Sequence, residues 1–319
     1  MIAWAAATVL AALVLLLAFN ARSYVRRAEA RWPAQGRFVE AGDARLHMQE
    51  AGDVNAPRIL LIHGASSNLR ELWGPLAEPL SAHHRVIAYD RPGLGHSTRP
   101  RRHAQTLALQ ARLAARVLEQ SGDGPALVVG HSLGGAVGLR LALDFPHLVS
   151  GLVLIAPASH PYPHDNAWWI KLAASQFAGY AFTNLLVPAI GPLMAPAAVA
   201  SNFWPQSAPP TYADEGGVGL LFRPRAFAAN ARDVRATKAE FAAQAPRYGD
   251  IFAPAVILTA EKDKIVSPKR NARALAVEMP GAELVIAPNA GHMPHRLRAD
   301  LVLAAIRRVN EMAAPAPAS

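Results

Sequence analysis

Ala126-Leu127-Val128-Val129-Gly130-His131-Ser132-Leu133-Gly134-Gly135 is the stretch that decides the fold. An apolar run of strand character, Ala126–Val129, meets a turn that carries glycine two residues before and two after a serine. An apolar helical run, Ala136–Asp144, follows. Strand, sharp turn and helix in that order are what a nucleophile elbow requires. Such a turn strains the serine backbone, exposes the hydroxyl and leaves no room for bulk at the flanking positions. The helix that starts there aims free N–H groups and the positive end of its dipole at the same point. The Gly-x-Ser-x-Gly pattern alone is modest evidence; its context makes Ser132 a candidate nucleophile.

Outward from the elbow, short apolar runs alternate with helical stretches, the pattern of a mostly parallel sheet covered on both faces. Strands are expected at Arg37–Val39, Ala44–Gln49, Ile59–Ile62, Val86–Tyr89, Ala126–Val129, Leu152–Ile155, Val256–Thr259 and Glu283–Ile286. Helices are expected over Thr106–Gln120, Ala136–Asp144, Pro268–Glu278 and Leu297–Met312. The alternation breaks once, between Ile155 and Val256. From Asn166 to Ala213 the only charged residue is Lys171, while Trp168, Trp169, Phe177, Phe182, Phe203 and Trp204 are all present. Pro188, Pro192, Pro196, Pro205, Pro209 and Pro210 interrupt this segment too often for a clean spanning helix. An inserted helical cap is the better reading.

The N-terminal run Ile2–Phe19 has no charge and no strongly polar group apart from Thr8. As a helix it is long enough to cross a bilayer. Arg22, Arg26, Arg27 and Arg31 follow it, so the positive-inside rule places the rest of the chain on the cytoplasmic side. A secretory signal has its basic residues before the apolar run, which argues for an uncleaved single-pass anchor in the cell (inner) membrane. Export after cleavage near Ala28-Glu29-Ala30, and a buried N-terminal core helix, are the alternatives. The expected organisation is an anchor over 1–21, a basic linker over 22–36 and core over 37–157. A cap over 158–249, core over 250–312 and a frayed Ala/Pro tail over 313–319 complete it.

Composition narrows the partners. With 52% hydrophobic and 17% charged residues the chain can bury a sizeable core. The absence of cysteine excludes a disulfide scaffold, a thiolate nucleophile and any Cys-ligated metal. The net charge of +9 suits nucleic acid or an anionic membrane surface. Without zinc spacing, an RNP-like aromatic stripe or a basic helical repeat, nucleic acid drops out and the membrane is favoured.

Four blocks of the chain, in order, now resemble the α/β-hydrolase superfamily from roughly Arg37 to Met312. They are Leu61-Ile62-His63-Gly64-Ala65 with Trp73 beyond it, and Asp90-Arg91-Pro92-Gly93-Leu94-Gly95-His96-Ser97. The elbow is third. Leu258-Thr259-Ala260-Glu261-Lys262-Asp263 together with Asn289-Ala290-Gly291-His292 close the set. The resemblance implies an α/β-hydrolase fold: a mostly parallel eight-stranded sheet with helices on both faces and an inserted helical cap, here preceded by a transmembrane helix. It also implies the chain order nucleophile, acid, histidine. A serine hydroxyl needs a base to take its proton, and the base needs a carboxylate to hold its tautomer. Asp263 and His292 both follow strands and so reach the carboxyl edge of the sheet, where the elbow lies. Glu261 and His295 are their rivals, and Asp250 precedes its strand and falls at the wrong edge. The backbone N–H groups of Leu133 and Ala65 are the expected oxyanion donors. His63, His96 and His131 are read as buried structural histidines, and Asp90 as a brace for its glycine turn.

Serine at the elbow argues against relatives that form an ester on aspartate. What remains is acyl transfer to water. An apolar, tryptophan-rich cap favours an apolar acyl or aromatic ester, with Trp168, Trp169, Phe203 and Trp204 as candidate substrate contacts. The arginines of Arg223-Pro224-Arg225 and of Asn230–Arg235 are read as solvated surface, with a place at the site entrance as the alternative. Thioesterase, C–C bond hydrolase, cofactor-free perhydrolase and non-catalytic accessory protein are the alternatives. No cofactor and no metal is implied, because no Asp/Glu/His cluster is visible in the sequence.

Overall fold

The computed structural model describes residues 1–313; the tail beyond Ala313, expected to fray, lies outside the described residues. The apolar runs form eight strands: β1 (Arg37–Ala41), β2 (Ala44–Ala51), β3 (Arg58–Ile62), β4 (Arg85–Tyr89), β5 (Ala126–His131), β6 (Val149–Ile155), β7 (Ala255–Ala260) and β8 (Glu283–Ala287). They pair in one sheet in the order β1-β2-β4-β3-β5-β6-β7-β8. Only the β1–β2 and β2–β4 pairings are antiparallel; the rest are parallel. Every residue of β3, β5 and β7 is buried, as expected of strands covered on both faces.

Helices supply the cover. The chain opens with α1 (Ile2–Arg31), followed by α2 (Arg70–Ser81), α3 (Leu107–Glu119) and α4 (Leu133–Asp144). On one face Leu107, Ala111, Leu118, Val137 and Leu141 of α3 and α4 pack on Leu60, Ile62 and Val128. On the other, Leu72, Leu76 and Leu80 of α2 pack on Ile59, Leu61 and Val129, beside Val302, Ile306 and Val309 from the last helix. The sequence reading has no helix over α2, whose Pro75 and Pro79 argue against one; its Leu72/Leu76/Leu80 stripe outweighs them.

The cap holds α5 (Trp168–Ala173), α6 (Phe177–Ala181), α7 (Val187–Phe203), α8 (Tyr212–Glu215) and α9 (Pro224–Gln244), and the second part of the core holds α10 (Ala272–Glu278), α11 (Pro294–Leu297) and α12 (Ala299–Ala313). Contrary to the expectation of a proline-broken segment, Phe177–Phe203 is one helical run, joined through a π turn over Phe182–Leu186. The spacing explains the tolerance. Proline withholds the N–H that would bond the carbonyl four residues back. Pro188, Pro192 and Pro196 lie four apart, so the carbonyls they leave unbonded fall in one stripe.

The basic segment expected as a linker over 22–36 is, through Arg31, the second half of α1. No glycine or proline interrupts it before Pro33, and Ala, Arg and Glu favour helix. This half packs on the cap: the Tyr24 hydroxyl donates to Gly219 O at 2.9 Å, Arg31 meets Asp214 at 2.7 Å and Glu29 meets Arg223 at 2.8 Å. Positions 2–16, in contrast, are exposed on every side.

Candidate active site

Ser132 sits between β5 and α4 with φ 52° and ψ −118°. A non-glycine residue in so sparsely populated a region costs about 1–3 kcal/mol and persists only where its surroundings hold it. They do: Ser132 N donates to Ile155 O at 2.9 Å, while Ser132 O accepts from Gly135 N at 3.0 Å and Ala158 N at 3.1 Å. The flanking glycines are obligatory. A Cβ at Gly130 would lie 2.6 Å from Gly134 O, and one at Gly134 would collide with the Ile62 carbonyl. A Cβ at Gly64 would lie 3.2 Å from the Ser132 Cβ, so the loop after β3 runs directly against the serine.

The structure brings the candidate acid and base together. His292 Nδ1 lies 2.7 Å from Asp263 Oδ2, and both side chains are buried. The other Asp263 oxygen accepts Ile265 N at 2.8 Å and Val266 N at 2.9 Å, which fixes the carboxylate in the turn after β7. The base loop is held from the cap, where Asn202 O accepts His292 N at 3.1 Å. Glu261 instead accepts Asn289 N at 2.9 Å and stays exposed. Asp250 lies before β7, near Arg247 on the surface. Among the described residues the Ser132 hydroxyl has no hydrogen-bond partner, which leaves it free to meet a substrate. The N–H groups of Ala65 and Leu133 are likewise without a protein acceptor among the described residues. Leu133 is the first residue of α4, where the helix has no internal partner for that N–H.

The remaining histidines are structural in different ways. His63 donates from Nδ1 to Gly64 O and accepts Arg91 N at 2.9 Å, and burial pushes it down to about 4, so it is neutral. His96, expected to be buried, is only half-buried and contacts Trp32 O at 2.8 Å. Asp90 accepts Leu69 N and His96 N, both at 2.8 Å, and pairs with His47 at 2.6 Å, bracing its own loop against the turn before α2 and against β2.

Several side chains at the site were not legible beforehand. Glu71, His131 and His295 converge in a buried cluster with ligand atoms within 4.8 Å of one another, although no such cluster is visible in the sequence. Glu71 and His131 are 60 residues apart, and only the fold joins them, Glu71 on α2 and His131 at the end of β5. Two of the atoms that would face a cation are already closed on each other, at 2.5 Å. From α9, Asn230 accepts Ser66 N at 2.6 Å, and Asp233 takes Arg91 at 3.2 Å and Arg99 at 2.6 Å. The buried stripe Ala226, Asn230, Asp233, Thr237, Phe241 and Gln244 has helical spacing, and that period was the available signal. Arg223 is not solvated surface either; it bridges Glu29 and Gly95 O, whereas Arg225, Arg232 and Arg235 are exposed.

The four cap aromatics separate. Phe203 is fully buried against Tyr212 and Met293, beside the base loop. Trp204 lies under Lys264, with the ammonium 3.2 Å from its ring centre. Trp169 stacks near Phe227 at 5.9 Å, and Trp168 is 71% exposed.

The profile of the alpha/beta hydrolase fold family matches residues 57–298. RutD of Variovorax paradoxus, named as a carbamate hydrolase, is 38% identical over 121 residues, 38% of this chain and 45% of that protein. Lipase LipV of Mycobacterium tuberculosis is 40% identical over 114 residues, 35% of this chain and 42% of that protein. The match thus spans less than half the length of these curated relatives. A crystal structure of a membrane phospholipase A superposes with a TM-score of 0.68 over 99% of this chain and 98% of its own, at 20% identity, which speaks for the fold alone. The profile match covers most of the chain, and its range includes Ser132, Asp263 and His292: the chain belongs to the alpha/beta hydrolase fold family.

Proposed function

We propose that the protein is a serine hydrolase that cleaves a carboxylic ester of an apolar acyl or aromatic substrate through an acyl-enzyme. The observation that carries this reading is the strained, glycine-flanked Ser132 at the same sheet edge as the buried His292–Asp263 pair. In the proposed cycle His292 takes the Ser132 proton as the hydroxyl attacks the carbonyl carbon. Asp263 holds the imidazole in the Nδ1–H tautomer, and Ala65 N and Leu133 N stabilise the oxyanion. His292 then protonates the leaving alcohol, and water repeats the sequence on the acyl-enzyme. Labelling with a fluorophosphonate probe, lost in Ser132→Ala, together with turnover of p-nitrophenyl esters, tests the reading.

The apolar cap supports an apolar acyl site. Each methylene buried there contributes about 0.8 kcal/mol, roughly fourfold in kcat/KM. The expected series from acetate to octanoate therefore rises until the pocket is full, and a flat or falling series removes the acyl-pocket reading.

The same proposal places the enzyme at a membrane. Ile2–Phe19 supplies the span, and the arginines at its downstream end keep the catalytic domain cytoplasmic. The exposed Phe177, Tyr180, Leu193 and Met194 lie on the helical run against which α1 packs, which favours lipid-dissolved substrate. Because residues 20–31 pack on the cap, a chain that starts at Asn20 is expected to leave the membrane fraction, whereas full-length protein stays in the pellet after carbonate washing. Recovery of a mature chain from a secreted fraction overturns the anchor.

A further inference from the structure

Two contacts beneath the elbow determine which protons His131 carries. Its Nε2 lies 3.0 Å from the main-chain oxygen of His292, and a carbonyl only accepts, so Nε2 is protonated. Its Nδ1 lies 2.5 Å from Glu71 Oε1, and an ionised carboxylate also only accepts. His131 is therefore an imidazolium closed on a carboxylate, both of them buried. Burial opposes each charge, but the partners overcome it: Glu71 lifts His131 above its ordinary value, and His131 holds Glu71 well below. The same Glu71 oxygen accepts the N–H of Gly64 at 3.2 Å.

This small unit thus reaches two loops that leave different strands. Gly64 precedes Ala65, and its own backbone runs against Ser132. His292 is the candidate base, its ring centre 4.8 Å from that of His131. We propose that Glu71 and His131 are a positioning pair that ties the oxyanion loop to the base loop, and that the tie holds only while His131 carries both protons. The proposal rests on the serine hydrolase reading above.

The surroundings fit a single titrating link. His131 is faced by Glu71 from α2, by His292 and His295 around the start of α11, and by Asp263 after β7. His63 after β3 faces Glu71, and Arg296 faces His295. His295, with its ring centre 4.4 Å from that of His131, has neither ring nitrogen hydrogen-bonded. Burial and the His131 charge hold it well below its ordinary value, so it is a neutral filler beside the pair.

A group raised in the folded state contributes fully at low pH, and its contribution is lost as pH rises through the raised value. Loss of the Nδ1 proton leaves a lone pair facing the Glu71 carboxylate and opens the tie. A serine hydrolase ordinarily reaches a plateau once its base is neutral. Here kcat falls again on the alkaline side of that plateau.

Glu71→Gln removes the titrating pair. The single Glu71 oxygen that meets both Gly64 N–H and His131 Nδ1 becomes either an amide oxygen or an NH2. As NH2 it faces the Gly64 N–H donor to donor; as oxygen it takes the one proton of a neutral His131 and leaves Nε2 bare against His292 O. The tie is therefore open at every pH, with a lowered kcat and no titrating proton. With 4-nitrophenyl hexanoate from pH 6 to 10, spontaneous hydrolysis subtracted and the full chain in detergent, the wild type shows the descending alkaline limb and Glu71→Gln lacks it. His131→Leu loses the tie at every pH, with kcat down about 100-fold and KM nearly unchanged, the scale of a roughly 1 Å misplacement. His295→Phe keeps the limb. A wild-type profile flat to pH 10, a Glu71→Gln profile with the wild-type limb, or loss of the limb in His295→Phe overturns the proposal. Failure of the serine hydrolase reading looks different: no ester turnover and no fluorophosphonate label on Ser132.

Discussion

Ser132→Ala lowers kcat by a factor on the order of 10⁴–10⁶ and leaves the fold intact. The hydroxyl is the only group the substitution removes, and no protein atom among the described residues is hydrogen-bonded to it. Alanine occupies the same strained backbone with a Cβ that Gly64 already accommodates. The backbone bonds to Ile155, Gly135 and Ala158 that hold the elbow are indifferent to the side chain. The measurements are single-turnover and steady-state hydrolysis of a p-nitrophenyl ester, with thermal unfolding as the control. A folded mutant that keeps more than a tenth of wild-type activity removes Ser132 from the nucleophile's role.

Asp263→Asn costs about 10⁴ in kcat, whereas Glu261→Gln stays within a few-fold of wild type. Asparagine fits the Asp263 site, because its side-chain oxygen still accepts the N–H groups of Ile265 and Val266. Its NH2 then faces His292 Nδ1, which places the ring proton on Nε2, the atom that must accept from serine. Glu261 only accepts Asn289 N from an exposed position, so its amide does that work nearly as well. The reverse ranking of the two mutants moves the acid to Glu261.

Much of this architecture was legible because its determinants are local. The strands announce themselves as short apolar runs, and all eight expected positions carry one. The elbow is a matter of ten consecutive residues, where glycine spacing alone states what the backbone must do. The helices that escaped or contradicted expectation, α2 and the run through α7, contain prolines at spacings of four. Residue-by-residue propensity penalises each proline, whereas the folded helix sets the four-residue spacing and an apolar stripe against that penalty.

By itself, then, the amino-acid order determined the sheet, the strained serine turn, the strand ends from which the candidate acid and base emerge, and an apolar N-terminal helix long enough to cross a membrane. Each follows from a pattern confined to a few neighbouring residues. Only the tertiary structure decided that Glu71 closes on His131 across 60 residues, that His131 reaches His292 O across 161, and that Asp233 of the cap neutralises Arg91 across 142. It also seated the second half of α1, expected as a basic linker, on the cap. For the three buried contacts the physical reason is the same. A buried charge survives only beside its counter-charge, and which partner arrives is set by the packing of whole elements, which no local pattern along the chain encodes.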